Sequence, residues 1–321
     1  MPIVCADAAA ADVYLRADVT TMTMHDGTQV TMWGFAKDSS FGAMDGTVTI
    51  PGPRIVVPPG DTVLNIHLDN NLTAAATGLS MGHPVSLVIN GLTQKLTPVR
   101  HGAAPYPQYE GRIRSFNKEA APGNASPVTF SWYDVEPGTY LYFSGTHPQF
   151  HVQMGLYGAV TKNFAAGQPY EGVFADREAL VFYSEIDPLF HSMAASDNYG
   201  PGKAMSSTID YAPKYFLVNG ESGTTMNRVW TGAAGSVLIR FVNAGLMPKC
   251  PAMQEHYMEV VAEDGFAKNY PEARFSMVLE PLKTKDVIVT TAAPTEIDFY
   301  DRRGYVSIQA TPSMGTVMLA Q

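Results

Sequence analysis

Apolar and polar residues alternate along this chain with a period of two far more often than they recur at the 3.6-residue period of a helix. Over Thr62–Leu68, Leu64, Ile66 and Leu68 fall on one side and Val63, Asn65 and His67 on the other. That alternation predicts a strand with one buried face. Val30–Phe35 is a β-branched and aromatic run after the Asp26-Gly27 turn signal, and predicts the return strand of a hairpin. Val85–Ile89, Val128–Trp132, Thr139–Phe143 and Leu156–Thr161 continue the series, each closed by Gly, Pro, Asn or Asp. A second series runs through Leu180–Ser184, Tyr215–Val218, Ser236–Val242, Tyr257–Ala262, Asp286–Thr290, Ile297–Tyr300 and Thr316–Leu319. Many short strands at this spacing predict antiparallel sandwiches or barrels.

The two series echo each other. GDTVLNIHLDNNL (60–72) and GSVLIRFVNAGL (235–246) share a turn glycine, an alternating strand, an Asn and a closing Leu. EPGTYLYF (136–143) parallels APTEIDFY (293–300), and GLYGAVT (155–161) parallels GTVMLAQ (315–321). A repeat of roughly 170 residues implies one architecture used twice. The join falls in Lys162–Asp176, a Gly- and Pro-containing stretch with little periodicity. The expected division is therefore residues 10–165 and 176–321, preceded by a tail at 1–9.

Composition narrows the function classes. Of 321 residues, 45% are hydrophobic and 16% charged, which is a packed globular balance. The net charge of −9, without any Lys/Arg run, argues against nucleic acid or an anionic membrane surface as partner. No apolar run approaches the ~20 residues of a membrane-spanning helix. The opening MPIVCADAAAADVYL has the small residues of a signal-peptide tail but no basic start or long apolar core. An exported protein, periplasmic or extracellular, with a trimmed or rebuilt N-terminus is the expectation. Cys5 and Cys250 are the only cysteines, and they either pair in an oxidising compartment or are both free.

Longer motifs carry a family resemblance. TMWGF (31–35), PGPRIVVPPGDTVLNIHLDNNL (51–72), PGTYLYFSGTHPQFHVQMGLYGA (137–159) and HYMEVVAEDG (256–265) resemble the multicopper oxidases. YSEIDP (183–188), STIDYAPKYFLVNG (207–220) and YDRR (300–303) extend the likeness over nearly the whole chain. The resemblance implies an all-β fold of two tandem cupredoxin-like Greek-key β-sandwich domains. Full-length members add a third such domain with the mononuclear copper, and this chain stops after the second.

The family's copper motifs are altered here. Ser-x-His-x-His-Gly becomes Ser86-Leu87-Val88-Ile89-Asn90-Gly91, and Tyr-x-Tyr-His-Ser-His becomes Tyr140-Leu141-Tyr142-Phe143-Ser144-Gly145. Val, Phe and Gly have no lone pair to give a metal, and Asn offers only a weak oxygen. The HCH cluster is also missing. No conventional three-copper oxygen-reducing site is expected. CPAMQEHYM (250–258) holds Cys250, Met253, His256 and Met258, the ingredients of a blue site. Cys250 nevertheless lies mid-domain, whereas a cupredoxin cysteine precedes its final strand, so a structural role is expected for it.

His147 and His151 are the leading metal candidates, in a loop that replaces the lost ligand segment. With Phe150–Met154 taken as extended, His151 and Gln153 share one face. Copper in either oxidation state suits imidazole, and His83, His256 and Met258 are candidate partners. Against this stands a structural reading in which His147 caps a turn before Pro148 and His151 makes a buried hydrogen bond. His83 occupies roughly the repeat position of His256, which suggests a site between domains or subunits. Met22, Met24, His25 and Met32 are read chiefly as core packing beside the hairpin. His191 and Met193 are expected in a mobile polar loop, His67 facing solvent, and His101 in a Gly/Pro-rich loop without a partner.

No Gly-x-Ser-x-Gly or phosphate-binding glycine motif is present. The expected function is that of an exported multicopper-oxidase-like protein without a trinuclear or blue copper site, acting in binding, copper handling or envelope structure. The alternative is a copper-dependent oxidoreductase with an atypical His/Met site around His147 and His151, placed at a subunit interface. Expected partners are further copies of the chain, a trimer by analogy with two-domain copper enzymes, or a chain supplying the missing domain.

Overall fold

The computed structural model describes residues 9–103, 107–230, 232–303 and 313–317. Cys5 and the expected tail lie outside these, apart from Ala9. The strands in order are β1 (Ala10–Thr23), β2 (Gln29–Asp38), β3 (Gly52–Val57), β4 (Val63–Asn70), β5 (Val88–Ile89), β6 (Val99–Arg100), β7 (Ile113–Ser115), β8 (Val128–Tyr133), β9 (Gly138–Phe143) and β10 (Tyr157–Lys162). They continue as β11 (Arg177–Ile186), β12 (Tyr215–Val218), β13 (Glu221–Ser222), β14 (Thr224–Trp230), β15 (Gly235–Asn243), β16 (Pro251–Met253), β17 (Met258–Glu263), β18 (Phe266–Arg274), β19 (Thr284–Thr291), β20 (Glu296–Asp301) and β21 (Ser313–Val317). Three short helices interrupt them: α1 (Ala74–Thr77), α2 (Pro148–Met154) and α3 (Pro188–Ala195).

The N-terminal half packs a sheet of order β2-β1-β4-β8 on a sheet of order β3-β10-β9-β5. The C-terminal half packs β13-β12-β11-β15-β19-β17-β18 on β16-β20-β14-β21. The all-β sandwich expected from the alternation is present. Leu64, Ile66 and Leu68 of β4 are fully buried while the residues between them are half-exposed. The sheets are mixed rather than purely antiparallel. β1 runs parallel to β4 and β3 to β10, and the same relation recurs in β11 with β15 and β14 with β21. The chain crosses to the opposite sheet between such partners, and a crossover is what lets neighbouring strands point the same way.

The repeat extends to individual hydrogen bonds. Asn70 and Asn243 end equivalent strands and are wholly buried. Asn70 Nδ2 donates to the carbonyls of His83 and Ala120, at 2.8 and 2.9 Å, and its Oδ1 accepts from Leu72 N. Asn243 Nδ2 donates to the carbonyls of Met247 and Leu279, and its Oδ1 accepts from Gly245 N. One side chain thus satisfies several buried backbone groups that the turn would leave unpaired.

Each half has its own apolar core, and a third buried cluster joins them. Strands β9 and β10 are buried on both faces, and β15 nearly so. In β9, Tyr140 and Tyr142 enter the N-terminal core, while Leu141 and Phe143 enter the joining cluster with Phe182, Leu217 and Val242 of the C-terminal half. Met24 and Met32 lie in this same cluster, consistent with packing roles. Beside it, Arg240 is completely buried and donates to Asp286 at 2.9 Å, to Thr139 at 2.7 Å and to Glu178. Glu178 in turn accepts from Arg54 of β3. A buried guanidinium needs such partners, because its desolvation is otherwise uncompensated.

Arg240→Ala is expected to cost about 3–5 kcal/mol, because it strands the Asp286 carboxylate in the interior. The double change Arg240→Met with Asp286→Leu should recover most of that loss. Urea unfolding at constant m would check both.

Candidate functional site

The segment between β9 and β10 sets up the site. Ser144 N donates to Leu156 O, closing the segment at its base. His147 adopts a left-handed backbone (φ 41°), unusual for a residue with a Cβ, and its N–H donates to Arg114 O. Pro148 then starts α2, where its fixed φ suits the first helical position and its missing N–H is not needed. Gly155 ends α2 at φ 115°, and a Cβ there would lie 2.3 Å from Trp33 O. The expectation of an extended Phe150–Met154 is therefore corrected. A proline at the front and a glycine at the back bracket one short helix, and its residues are buried on several sides rather than on alternate faces.

The helix brings His151 inward and leaves His147 at the rim. His151 is fully buried, with Nδ1 2.9 Å from Ser144 Oγ and Nε2 without a hydrogen-bond partner. His83 arrives from the loop after α1, with its N–H bonded to Leu72 O and its carbonyl held by Asn70. The His83 and His151 ring centroids are 6.1 Å apart, and those of His147 and His151 are 6.3 Å apart. Trp33 lies against both His83 (4.7 Å) and His151 (5.5 Å), and Phe150 against both as well. His101, expected to lack a partner, sits 5.3 Å from His147. Four imidazoles thus form a row from the half-exposed His101 to the interior.

A strap from the C-terminal half covers this end. Asp187 caps α3 by accepting from Leu189 N and Phe190 N, and its other oxygen accepts from Ala212 N, so one carboxylate clasps both ends of the excursion. Phe190 and Ala194 enter the N-terminal core. Tyr199 stacks on Phe150 at 4.9 Å and 9°. The expected mobile polar loop around His191 is thus a helix that buries one face, with His191 Nδ1 3.1 Å from Thr31 O. Its apolar anchors Phe190 and Ala194 are four residues apart, one helical turn, inside a segment otherwise rich in polar residues.

Burial fixes the charge state of the rings. His83 and His147 are each pushed down to about 4, His83 by desolvation and His147 by desolvation together with the neighbouring His101 and Arg114. Desolvation drives His151 well below the usual range, and His101 is also lowered. Neutral imidazoles keep a lone pair available at neutral pH. Ser144 Oγ engages Nδ1 of His151, and in the tautomer with the proton on Nδ1 the Nε2 carries a lone pair that no donor reaches. That is the usual arrangement of a metal-ligating histidine, whose second nitrogen is held by an oxygen.

The remaining expected residues lie elsewhere. Met258 is completely buried in the C-terminal core, and His256 Nδ1 is 3.1 Å from Gln254 O; neither has a ring or core contact with the histidine row. Cys250 is unpaired among the described residues, with Sγ 3.2 Å from Ser276 Oγ. Among the described residues, no three His, Cys, Asp or Glu side chains are arranged to enclose an ion.

A three-copper cluster does not fit. Val88 and Phe143 face each other across the β5–β9 ladder and both belong to the joining cluster. At residue 145 a Cβ would lie 2.6 Å from Val88 Cγ2 and 3.1 Å from Ser86 Oγ. Ser86, Ser115 and Thr146 hydroxyls bond to one another there, all fully buried. The space is filled by side chains. A single low-coordinate ion fits the imidazole row better, by its donor type and by the unpartnered His151 Nε2.

No protein-family profile matches the sequence, and no curated protein matches it. Solved structures do. The chain superposes on a multicopper oxidase, mgLAC, with TM-score 0.67 at 19% identity, covering 98% of this chain and 86% of that one. A blue copper oxidase from Nitrosomonas europaea gives 0.67 at 16%, covering 96% and 86%. A copper nitrite reductase from the same organism gives 0.63 at 17%, covering 98% and 94%. At such identities the likeness is one of fold: this chain has the cupredoxin-type β-sandwich architecture of multicopper oxidases.

Two measurements check the site. In metal-free protein the buried histidines prefer to stay neutral, so the unfolded chain takes up protons first as pH falls below its 6.5. Stability should be full above pH 6.5 and fall towards pH 4, by up to about 3 kcal/mol for a ring as buried as His191. His191→Gln should flatten that part of the urea-midpoint profile. Gly145→Ala should destabilise by about 1–3 kcal/mol, and Val88→Ala on top of it should restore part of the loss.

Proposed function

We propose that this protein binds copper at the His83–His151 pair, with His147 and His101 lining the entry, and handles the metal rather than reducing oxygen with it. The observation that carries this reading is the buried His151 Nε2 without a partner, beside a second neutral imidazole. A lone pair buried without a partner costs about 1–3 kcal/mol, and a metal ion would satisfy it. The residues have separable parts. Ser144 orients His151, Asn70 fixes His83 through its carbonyl, and Trp33 and Phe150 pack against both rings.

Reduction of oxygen to water needs four electrons, and one ion delivers them singly. The space around Val88, Phe143 and Gly145 is filled, and among the described residues no group of three metal-binding side chains offers a second centre to accumulate them. Binding and transfer of copper in an exported protein is the function that matches the donors. When bound, the ion would bring Lewis acidity and one-electron chemistry; the chain's own contribution is to hold two imidazoles neutral and oriented, one of them fully buried.

Protein loaded with copper and desalted should retain one ion per chain by elemental analysis. His151→Ala and His83→Ala should each abolish retention, while His256→Ala and Cys250→Ser should leave it unchanged. Retention that survives both His83→Ala and His151→Ala would sink the assignment. Oxygen consumption with phenolic or metal-ion reductants should stay at background.

A further inference from the structure

Building on that copper reading, we infer that the site discriminates by charge and coordination number, taking a monovalent d10 ion, Cu(I), in preference to Cu(II) or Zn(II). Four features of the site support the discrimination.

The first is the charge of the ligands. Every nitrogen donor in the row is a neutral imidazole, and among the described residues no thiolate adjoins it: Cys250 lies in the C-terminal half against Ser276. Asp197, whose charge reaches His83, is exposed and paired with Lys203 at 3.4 Å. The carboxylate acting on His101 is Glu119, which Arg114 engages at 2.7 Å. An ion entering the pair would therefore keep its full charge.

The second is the wall. Trp33 and Phe150 pack against both rings and Tyr199 stacks on Phe150, so this side of the pair is weakly polar. The cost of taking an ion out of water grows with the square of its charge, and even a singly charged ion loses several kcal/mol. A dication without an anionic ligand suffers about four times that penalty. Aromatic faces add a modest attraction for a cation that is already nearly dry.

The third is geometry. The ring centroids of His83 and His151 are 6.1 Å apart. Two imidazoles on opposite sides of one ion stand about 6 Å apart, twice the sum of a metal–nitrogen bond of about 2 Å and the reach from nitrogen to ring centre. Two donors satisfy a d10 monovalent ion, which accepts linear coordination. Cu(II) and Zn(II) want four or more ligands, and among the described residues no trio of His, Cys, Asp or Glu encloses an ion.

The fourth is rigidity. His151 is locked by Ser144 and by its place in α2, and His83 by two backbone hydrogen bonds. The two rings of the pair are thus held in place before any ion arrives, with His147 on the rim side of His151 at 6.3 Å.

The test uses the full chain under nitrogen. Ag(I), a redox-inert stand-in, and Cu(I) buffered by a competing chelator are titrated separately from Cu(II) and Zn(II). Tryptophan fluorescence reports binding near Trp33, and ring NMR signals report which imidazoles respond. Expected is one Ag(I) or Cu(I) per chain, bound at least about a hundredfold more tightly than either dication. His83→Ala should remove most of that affinity; since His83 is half-exposed, this variant is the safer one, and His151→Gln gives the buried counterpart. Zn(II) or Cu(II) binding as tightly as Ag(I) would overturn the charge discrimination and leave the copper reading standing. No binding of any of the four ions would remove both. Binding of Ag(I) that is indifferent to His83→Ala and His151→Gln would move the site elsewhere and overturn the assignment.

Discussion

The outer face of β9 is buried against the C-terminal sandwich, and most of what is unusual about this protein follows from that burial. A surface strand would have one face free to carry ligands. Here Leu141 and Phe143 are committed to the joining cluster, Thr139 to the Arg240 network, and Tyr140 and Tyr142 to the core on the other side. Val88 completes the pair opposite Phe143. The interface is apolar because two sheets meet there without water, and its one buried guanidinium is surrounded by acceptors. Imidazoles at positions 88, 143 and 145 would have to displace packing that ties the two halves together.

The histidines instead appear one step further along the chain, where β9 has ended and the backbone turns. The segment after Phe143 leaves the β-ladder and folds locally, with Val152 still in the joining cluster and Phe150 against Phe190 and Tyr199. A left-handed residue, a proline and a terminal glycine convert it into a helical turn, and that turn rotates His151 into the protein beside His83. The C-terminal half contributes a second time by laying α3 and Tyr199 across the aromatic wall. Each half therefore shapes the site, although all four rings belong to the N-terminal one. What results is a group of rings kept neutral by burial, the innermost with an unpartnered nitrogen.

Much of the scaffold was legible in the primary structure. Alternation in Thr62–Leu68 marked the buried side of β4 correctly, since the period of two is a local geometric property of any strand. The echo of GDTVLNIHLDNNL in GSVLIRFVNAGL foretold equivalent strands that end on equivalent buried asparagines. That Val88, Asn90, Phe143 and Gly145 stand where the family motifs have imidazoles was readable at once, because the absence of a donor atom is a property of the residue itself. His147 and His151 stood out for the same reason.

What the residues alone left open was decided by contacts distant in sequence. Nothing near His101 points to His147, and nothing near His83 points to His151; the β6–β7 ribbon and the Asn70 clasp bring them there. His191 reads as part of a polar loop until Phe190 and Ala194 find the N-terminal core, since burial of a mixed segment depends on the surface it meets. His256 and Met258 read as ligands, yet Met258 fills a core and His256 stays with Gln254, because equal repeat positions in two sandwiches need not face the same neighbours. Sequence determined the strands, their buried faces and the inventory of electron-pair donors. Only tertiary structure decided which donors lie side by side, because desolvation and mutual orientation arise from packing between segments that no local pattern encodes.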